Sequence, residues 1–275
     1  MKLEIKEIAV LLMLAKRTLV TALLGTLVLP LSGLAQTPQE RGLEIARKAD
    51  DYANGYGDFK AEMVMILRNA QGDESRRQVR VWGLEVKGDG DKSLSIFDEP
   101  ADVKGTAMLT YSHKTKPDDQ WLYLPALKRV KRIASRNKSG PYMGSEFSYE
   151  DMASQEVEKY TYKYLRDEAC GKLECYVVER YPVDKYSGYT RQVVWIDKQE
   201  YRPQKIVYYD RKNALLKTLT NSGYHKYLEH HWRPDEVFME NHQTGKTTRI
   251  LWSNYRFHTG LTENDFKVND LRRMH

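Results

Sequence analysis

Asp58-Phe59-Lys60-Ala61-Glu62-Met63-Val64-Met65-Ile66-Leu67, followed after the turn Asn69-Ala70-Gln71-Gly72 by Arg76-Arg77-Gln78-Val79-Arg80-Val81-Trp82, is the stretch on which the fold class rests. Phe59, Ala61, Met63, Met65 and Leu67 alternate with Lys60, Glu62, Val64 and Ile66, and a period of two places successive side chains on opposite faces of a strand. Similar segments recur at hairpin spacing: 94–97, 107–111, 120–124, 160–165, 176–181, 192–196, 205–209, 214–220, 237–240 and 247–257. The turns between them, such as Asp210-Arg211-Lys212-Asn213 and Thr244-Gly245-Lys246, are short and polar. Roughly ten strands in a meander predict a barrel or a strongly curved antiparallel sheet, mainly β with some α.

Several of these strands are apolar on both faces, as in Trp121-Leu122-Tyr123-Leu124 and Met63 to Leu67. A sheet with one face in water needs one apolar side only, so something must cover the second. The cover expected is a helix. Thr37-Pro38-Gln39-Glu40 reads as a capping box with proline at the first helical position. Leu43, Ala46, Ala49 and Ala53 follow at steps of three and four until Asn54-Gly55 and Gly57 end the pattern. Two arrangements fit equally: a barrel filled by its own side chains, or a concave sheet whose helical lid closes over a cavity for an apolar ligand.

Upstream, Lys16-Arg17 stands before an uncharged run, Thr18 to Ala35, which contains Pro30 and ends in Gly33-Leu34-Ala35. This is the order of a secretory signal, expected to be cleaved after Ala35 and to leave one domain over 36–275; an uncleaved anchor is the competing reading. Met13 would make a more ordinary start for such a signal than Met1. The only cysteines, Cys170 and Cys175, lie between two strand-like runs, where a structural disulfide across a hairpin suits an oxidising compartment such as the periplasm. A formal charge of +6 over 275 residues is small and well mixed, so no nucleic-acid partner is expected.

The segment after Leu124-Pro125-Ala126-Leu127 breaks the hairpin rhythm. Lys128, Arg129, Lys131, Arg132, Arg136 and Lys138 alternate in part with Val130 and Ile133, which suits a strand with one positive face. That face is either simply solvated or a docking surface for anionic head groups or an acidic partner. Gly140 to Met152 then brings Tyr142, Met143, Phe147 and Tyr149 into a long loop, expected to be exposed and functional, with Ser148 able to cap a short helix.

Asp119-Gln120-Trp121-Leu122-Tyr123-Leu124-Pro125-Ala126-Leu127-Lys128-Arg129-Val130-Lys131-Arg132-Ile133 and Gly144-Ser145-Glu146-Phe147-Ser148-Tyr149-Glu150-Asp151 resemble the outer-membrane lipoprotein-sorting proteins, similar to the periplasmic carrier LolA. The resemblance spans most of the chain after the signal. It implies an unclosed antiparallel β-barrel with an α-helical lid, and a cavity that takes acyl chains of lipoproteins or other lipids. It also implies an inner-membrane exporter of the RND type and an outer-membrane acceptor as partners, with transient contact at a membrane surface. On this reading Met63, Met65, Met108, Trp121 and Tyr123 line the cavity, while Arg129, Arg132, Arg136, Tyr142, Phe147 and Tyr149 meet a partner or head groups.

Such a carrier needs no cofactor and no covalent chemistry. Its alternative is an accessory protein of an exporter that binds its partner and carries nothing. Catalysis finds little support: Gly-x-Ser-x-Gly, P-loop and His-Glu-x-x-His are absent from the sequence. His225, His230 and His231 near Asp235 and Glu236 do not follow a metal-ligand spacing, and His230 and His231 are expected to point opposite ways. Asp89-Gly90-Asp91 and Asp118-Asp119 read as polar turns.

Overall fold

The computed structural model describes Gln36–Met274; the signal and its cleavage after Ala35 lie outside the described residues. Helix α1, Pro38–Ala53, starts at the expected capping box, with the Thr37 hydroxyl accepting from Glu40 N–H and the Glu40 carboxylate accepting from Thr37 N–H at 2.8 Å. The strands are β1 (Asp58–Arg68), β2 (Glu74–Leu84), β3 (Lys92–Glu99), β4 (Ala107–Tyr111), β5 (Asp119–Leu124), β6 (Arg129–Ile133), β7 (Tyr160–Cys170), β8 (Leu173–Pro182), β9 (Tyr189–Asp197), β10 (Pro203–Asp210), β11 (Leu215–Tyr227), β12 (His231–Asn241) and β13 (Thr247–Phe257).

All thirteen strands, rather than about ten, form one sheet in the order β6-β5-β4-β3-β2-β1-β13-β12-β11-β10-β9-β8-β7. Every neighbour in it is antiparallel, and the one non-sequential pairing joins the first strand to the last, with Met63 opposite Trp252 and Met65 opposite Ile250. β6 and β7 end the order, so the barrel is unclosed between them.

Met63, Met65, Val79, Val81, Met108, Leu122, Val178, Val194, Ile206, Leu219, Met239 and Ile250 belong to one buried cluster. Side chains from strands this far apart in the order can meet only if the sheet curls around them, so this face is concave. Ile45 of α1 joins the same cluster. The helix therefore lies inside the curl, against β7, as the helical lid expected of an unclosed barrel, and the second face is covered by other segments.

The convex face has two covers of its own. Leu94, Ile96, Ala107, Leu109 and Tyr123 pack beneath Leu261, Phe266 and Leu271 of the C-terminal segment, which runs in 3-10 turns over Glu263–Phe266 and Val268–Arg273. The Tyr111 hydroxyl donates to the Phe266 carbonyl and Lys92 pairs with Glu263 at 2.6 Å. On β7 to β10, Val177, Val193 and Trp195 pack with Cys175, and Cys170 and Cys175 are bonded across the β7–β8 hairpin.

The middle segment, 134–159, crosses the concave side as a strap. Tyr142 and Phe147 are buried in the concave cluster with Tyr149, Met143 and Met152 packed against it, so the exposure expected of this loop is not found. Apolar side chains on a linker that spans an open barrel reach water-free packing by turning inward. Polar contacts hold the strap to both halves of the sheet. Gln120 of β5 donates to the Tyr149 carbonyl at 2.8 Å and Arg77 of β2 donates to the Met143 carbonyl. From the other half, Lys217 of β11 donates to the Glu146 carbonyl at 2.8 Å and to Asp151 at 2.6 Å. Asn241 of β12 donates to the Glu146 carboxylate at 2.6 Å. Ser148 caps a 3-10 turn, Tyr149–Met152, in reciprocal contact with Asp151.

Candidate ligand-binding cavity

The strap fills one end of the curl and leaves space at the other. A cavity of about 360 Å³ lies between α1 and the concave face of β8 to β10. Its roof is Ala46, Ala49 and Ala53, and its floor includes Tyr162, Val178, Val194, Ile196 and Ile206. The roof is made of methyl groups, and a helix that presents alanine to a sheet leaves room where leucine would fill it. A second cavity of about 240 Å³ adjoins it, lined by Phe59, Met63, Val81, Met108, Met152 and Trp252. Tyr56, Asp91 and Ser154 line both. The Tyr56 hydroxyl donates to Asp91 at 2.8 Å, so this bond is part of the wall between the two.

The larger cavity has a polar end. Asp50 comes from α1, Asp91 from the loop before β3 and Glu156 from the strap, and all three line it. Burial pushes the Glu156 carboxyl up to about 7, aided by the negative charge of Asp91 and Asp50. Burial also raises Asp50 and Asp91 above the ordinary carboxylate range. Burial likewise raises Tyr56, so its hydroxyl keeps its proton at neutral pH. Two arginines complete the wall, each with part of its guanidinium engaged by neutral partners. Arg180 donates to Gln192 at 2.7 Å and stacks on Tyr160, while Arg233 donates to the carbonyls of Trp232 and Ala53 and lies over Tyr56.

The residues singled out in the sequence fall into three places. Met63 and Met108 line the smaller cavity and Met65 is buried in the concave core behind them. Trp121 and Tyr123 sit on the convex face with the C-terminal segment, because a strand buried on both sides gives no sign of which parity faces inward. Tyr142, Phe147 and Tyr149 belong to the strap, whereas Arg129, Arg132 and Arg136 are exposed on or beside edge strand β6. Asp91 reads in the sequence only as part of a polar turn and Asp50, Glu156, Arg180 and Ile206 were not singled out, and their scatter along the chain leaves no local signal. The alanine stripe was visible, but not the space beneath it.

The histidines do not behave as alternation predicts. His230 lies in a turn and His231 opens β12, so their ring centroids come within 4.5 Å. His225 pairs with Asp235 at 2.8 Å. Asp89 is held down to about 2 by its hydrogen bond with His113. Among the described residues no three His, Cys, Asp or Glu side chains come together as a metal site would need, and no helix is long and apolar enough to cross a membrane.

A family model described as an uncharacterized protein matches residues 89–273. A domain assigned to the outer membrane lipoprotein-sorting proteins, from Vibrio parahaemolyticus, is 58% identical, with 86% of this chain and 100% of that one covered and a TM-score of 0.84. A DUF1329 family protein from Desulfovibrio piger is 32% identical over 86% of this chain and 99% of that one, with a TM-score of 0.81. A LolA superfamily protein from Nitrosomonas europaea shares the fold at a TM-score of 0.67, with 22% identity over 83% of this chain and 98% of that one. No curated protein matches the chain.

Proposed function

Because the chain belongs to the DUF1329 family, together with the outer membrane lipoprotein-sorting domain of Vibrio parahaemolyticus, we propose that it is a periplasmic carrier that shields a lipid or lipoprotein acyl chain without covalent chemistry. The observation that carries this reading is the alanine-roofed apolar cavity inside an unclosed barrel. Exposing a chain of ~16 carbons to water costs on the order of 12 kcal/mol at about 0.8 kcal/mol per methylene, so crossing an aqueous gap requires such a shield. At about 360 Å³ the cavity is at the lower end of the usual range for ligand sites. It therefore suits a single chain. The bonded Cys170–Cys175 pair supports an oxidising compartment, as does the signal-like order before Ala35.

Edge strand β6 is the surface for donor or acceptor. Leu127 is 63% exposed at its head, with Lys128, Arg129, Lys131, Arg132 and Arg136 exposed around it. An apolar tip within a basic cluster suits anionic lipid head groups, and an exporter would meet the protein through the same edge. The test is native mass spectrometry with lipid extraction on protein purified from its own periplasm. We expect stoichiometric lipid in the wild type, and its loss in Ala49→Leu, which fills the cavity. Arg129→Glu combined with Arg132→Glu should keep the lipid and lose binding to anionic vesicles. A wild type that is always empty and takes up no fatty acid would overturn the carrier reading and leave the exporter-accessory role.

A further inference from the structure

Glu156 is 8% exposed, and its carboxylate lines the larger cavity. Its backbone carbonyl accepts from Lys159 N–H at 3.2 Å, but among the described residues its carboxylate accepts no hydrogen bond and forms no ion pair. A buried carboxylate in that state is costly unless something pairs with it. Its surroundings make the deficit worse. Asp50 reaches the same cavity from α1 and Asp91 from the loop before β3, so three separate segments each bring a carboxyl group to the wall of one apolar space, and the charges of Asp91 and Asp50 act on Glu156. The positive groups nearby do not meet the need. Lys159 is bound to Asp118 at 2.7 Å and to the Ser154 carbonyl at 3.2 Å, and Lys114 lines a different cavity, with Lys159 and Glu158. Arg180 and Arg233 are engaged by Gln192, by backbone carbonyls and by aromatic rings. Arg180 and Arg233 thus already share donors with neutral partners, whereas the Glu156 carboxylate has no partner at all, so the larger unmet need in this wall is for a cation.

We propose that the larger cavity takes an amphiphile bearing a cationic nitrogen, its apolar chain lying between the alanine roof and Val178, Val194 and Ile206, and its ammonium group held by Glu156, Asp50 and Asp91. This rests on the carrier reading and narrows its ligand class. An ammonium offers three donors to carboxylates that already crowd one another, and the exchange of mutual repulsion for charge-assisted hydrogen bonds sets the direction of recognition. Since burial holds the Glu156 carboxyl partly protonated near neutral pH, uptake of the cation displaces a proton. The groups facing Glu156 are Asp50, Asp91, Lys159 and Lys114. Loss of the Glu156 proton strengthens the negative site, so affinity for the amine rises from pH 5 to pH 8.

The test is calorimetric titration of the purified, delipidated protein with dodecylammonium, dodecanol and dodecanoate, each below its micelle concentration. Dodecylammonium should bind about tenfold more tightly than either of the others, the effect of a charged hydrogen bond, and release protons on binding. Glu156→Gln, which loses no protein contact, should remove about that factor for the amine and leave dodecanol unchanged; Asp50→Asn should act in the same direction. If dodecanol or dodecanoate binds as tightly as the amine, or Glu156→Gln leaves the amine unaffected, the cation assignment is overturned and the carrier reading stands. If none of the three binds, both fall.

Discussion

Glu156 and Lys217 place charge in the interior under opposite conditions. Lys217 and Asp151, with 4% and 7% of their side chains exposed, form a contact of 2.6 Å, and the Tyr189 hydroxyl donates to Asp151 at 2.9 Å. The lysine also lies over the rings of Tyr189 and Tyr208. That pair is satisfied and structural. Glu156 has no such partner, and its raised value near 7 makes stability depend on pH. A carboxyl that holds its proton more tightly when folded contributes stability that is fully present below its unfolded value and is lost as pH rises through the folded value. Wild-type stability should therefore fall between about pH 4.5 and 7 from this group, by on the order of 1–3 kcal/mol. Glu156→Gln should match the wild type at pH 4.5 and exceed it at pH 8 in chemical denaturation. A variant that is stabilised at pH 8 and impaired in ligand binding would mark Glu156 as kept for function.

Helix α1 depends on one glycine. A Cβ at Gly42 would lie 2.7 Å from the Tyr164 nitrogen and 2.9 Å from Lys163 backbone atoms, and a β-strand backbone cannot step aside. Arg41 stacks on the Tyr164 ring at 3.8 Å beside this contact. Gly42→Ala should lift the helix off β7, cost about 1–3 kcal/mol and loosen the cavity roof, to be read as a lower melting temperature with faster lipid loss. The helix itself was legible: capping box, alanine stripe and Asn54 stop all lie where the sequence puts them. Its docking site was not, because an amphipathic stripe specifies that a face is buried but not against what. The C-terminal segment shows the converse. Leu261, Phe266 and Leu271 are spread too widely for either period, yet they cover the convex face.

Across the molecule, the gap between β6 and β7 is spanned by side-chain contacts in place of a strand ladder. The strap that follows β6 is tied to β2 and β5 on one side and to β11 and β12 on the other. Lys217→Met would leave Asp151 buried without its counter-ion, at a cost of about 3–5 kcal/mol. We expect the strap to detach while the sheet persists, seen as raised hydrogen exchange over 139–153 before global unfolding; uniform loss of protection would show that the strap is no separate unit.

The sequence by itself determined the strands and their turns, the capped helix, the disulfide and the family signature at Asp119 to Asp151. Each of these is written in local periodicity or in a short run of neighbouring residues. Only the tertiary structure decided which parity of each strand is concave, and so why Met63 and Met108 reach a cavity while Trp121 and Tyr123 do not. It alone turned Tyr142 and Phe147 inward and brought Asp50, Asp91 and Glu156 together. The reason is physical: a strand covered on both faces is apolar on both, and carboxyl groups far apart in the chain acquire a shared environment only when the sheet curls.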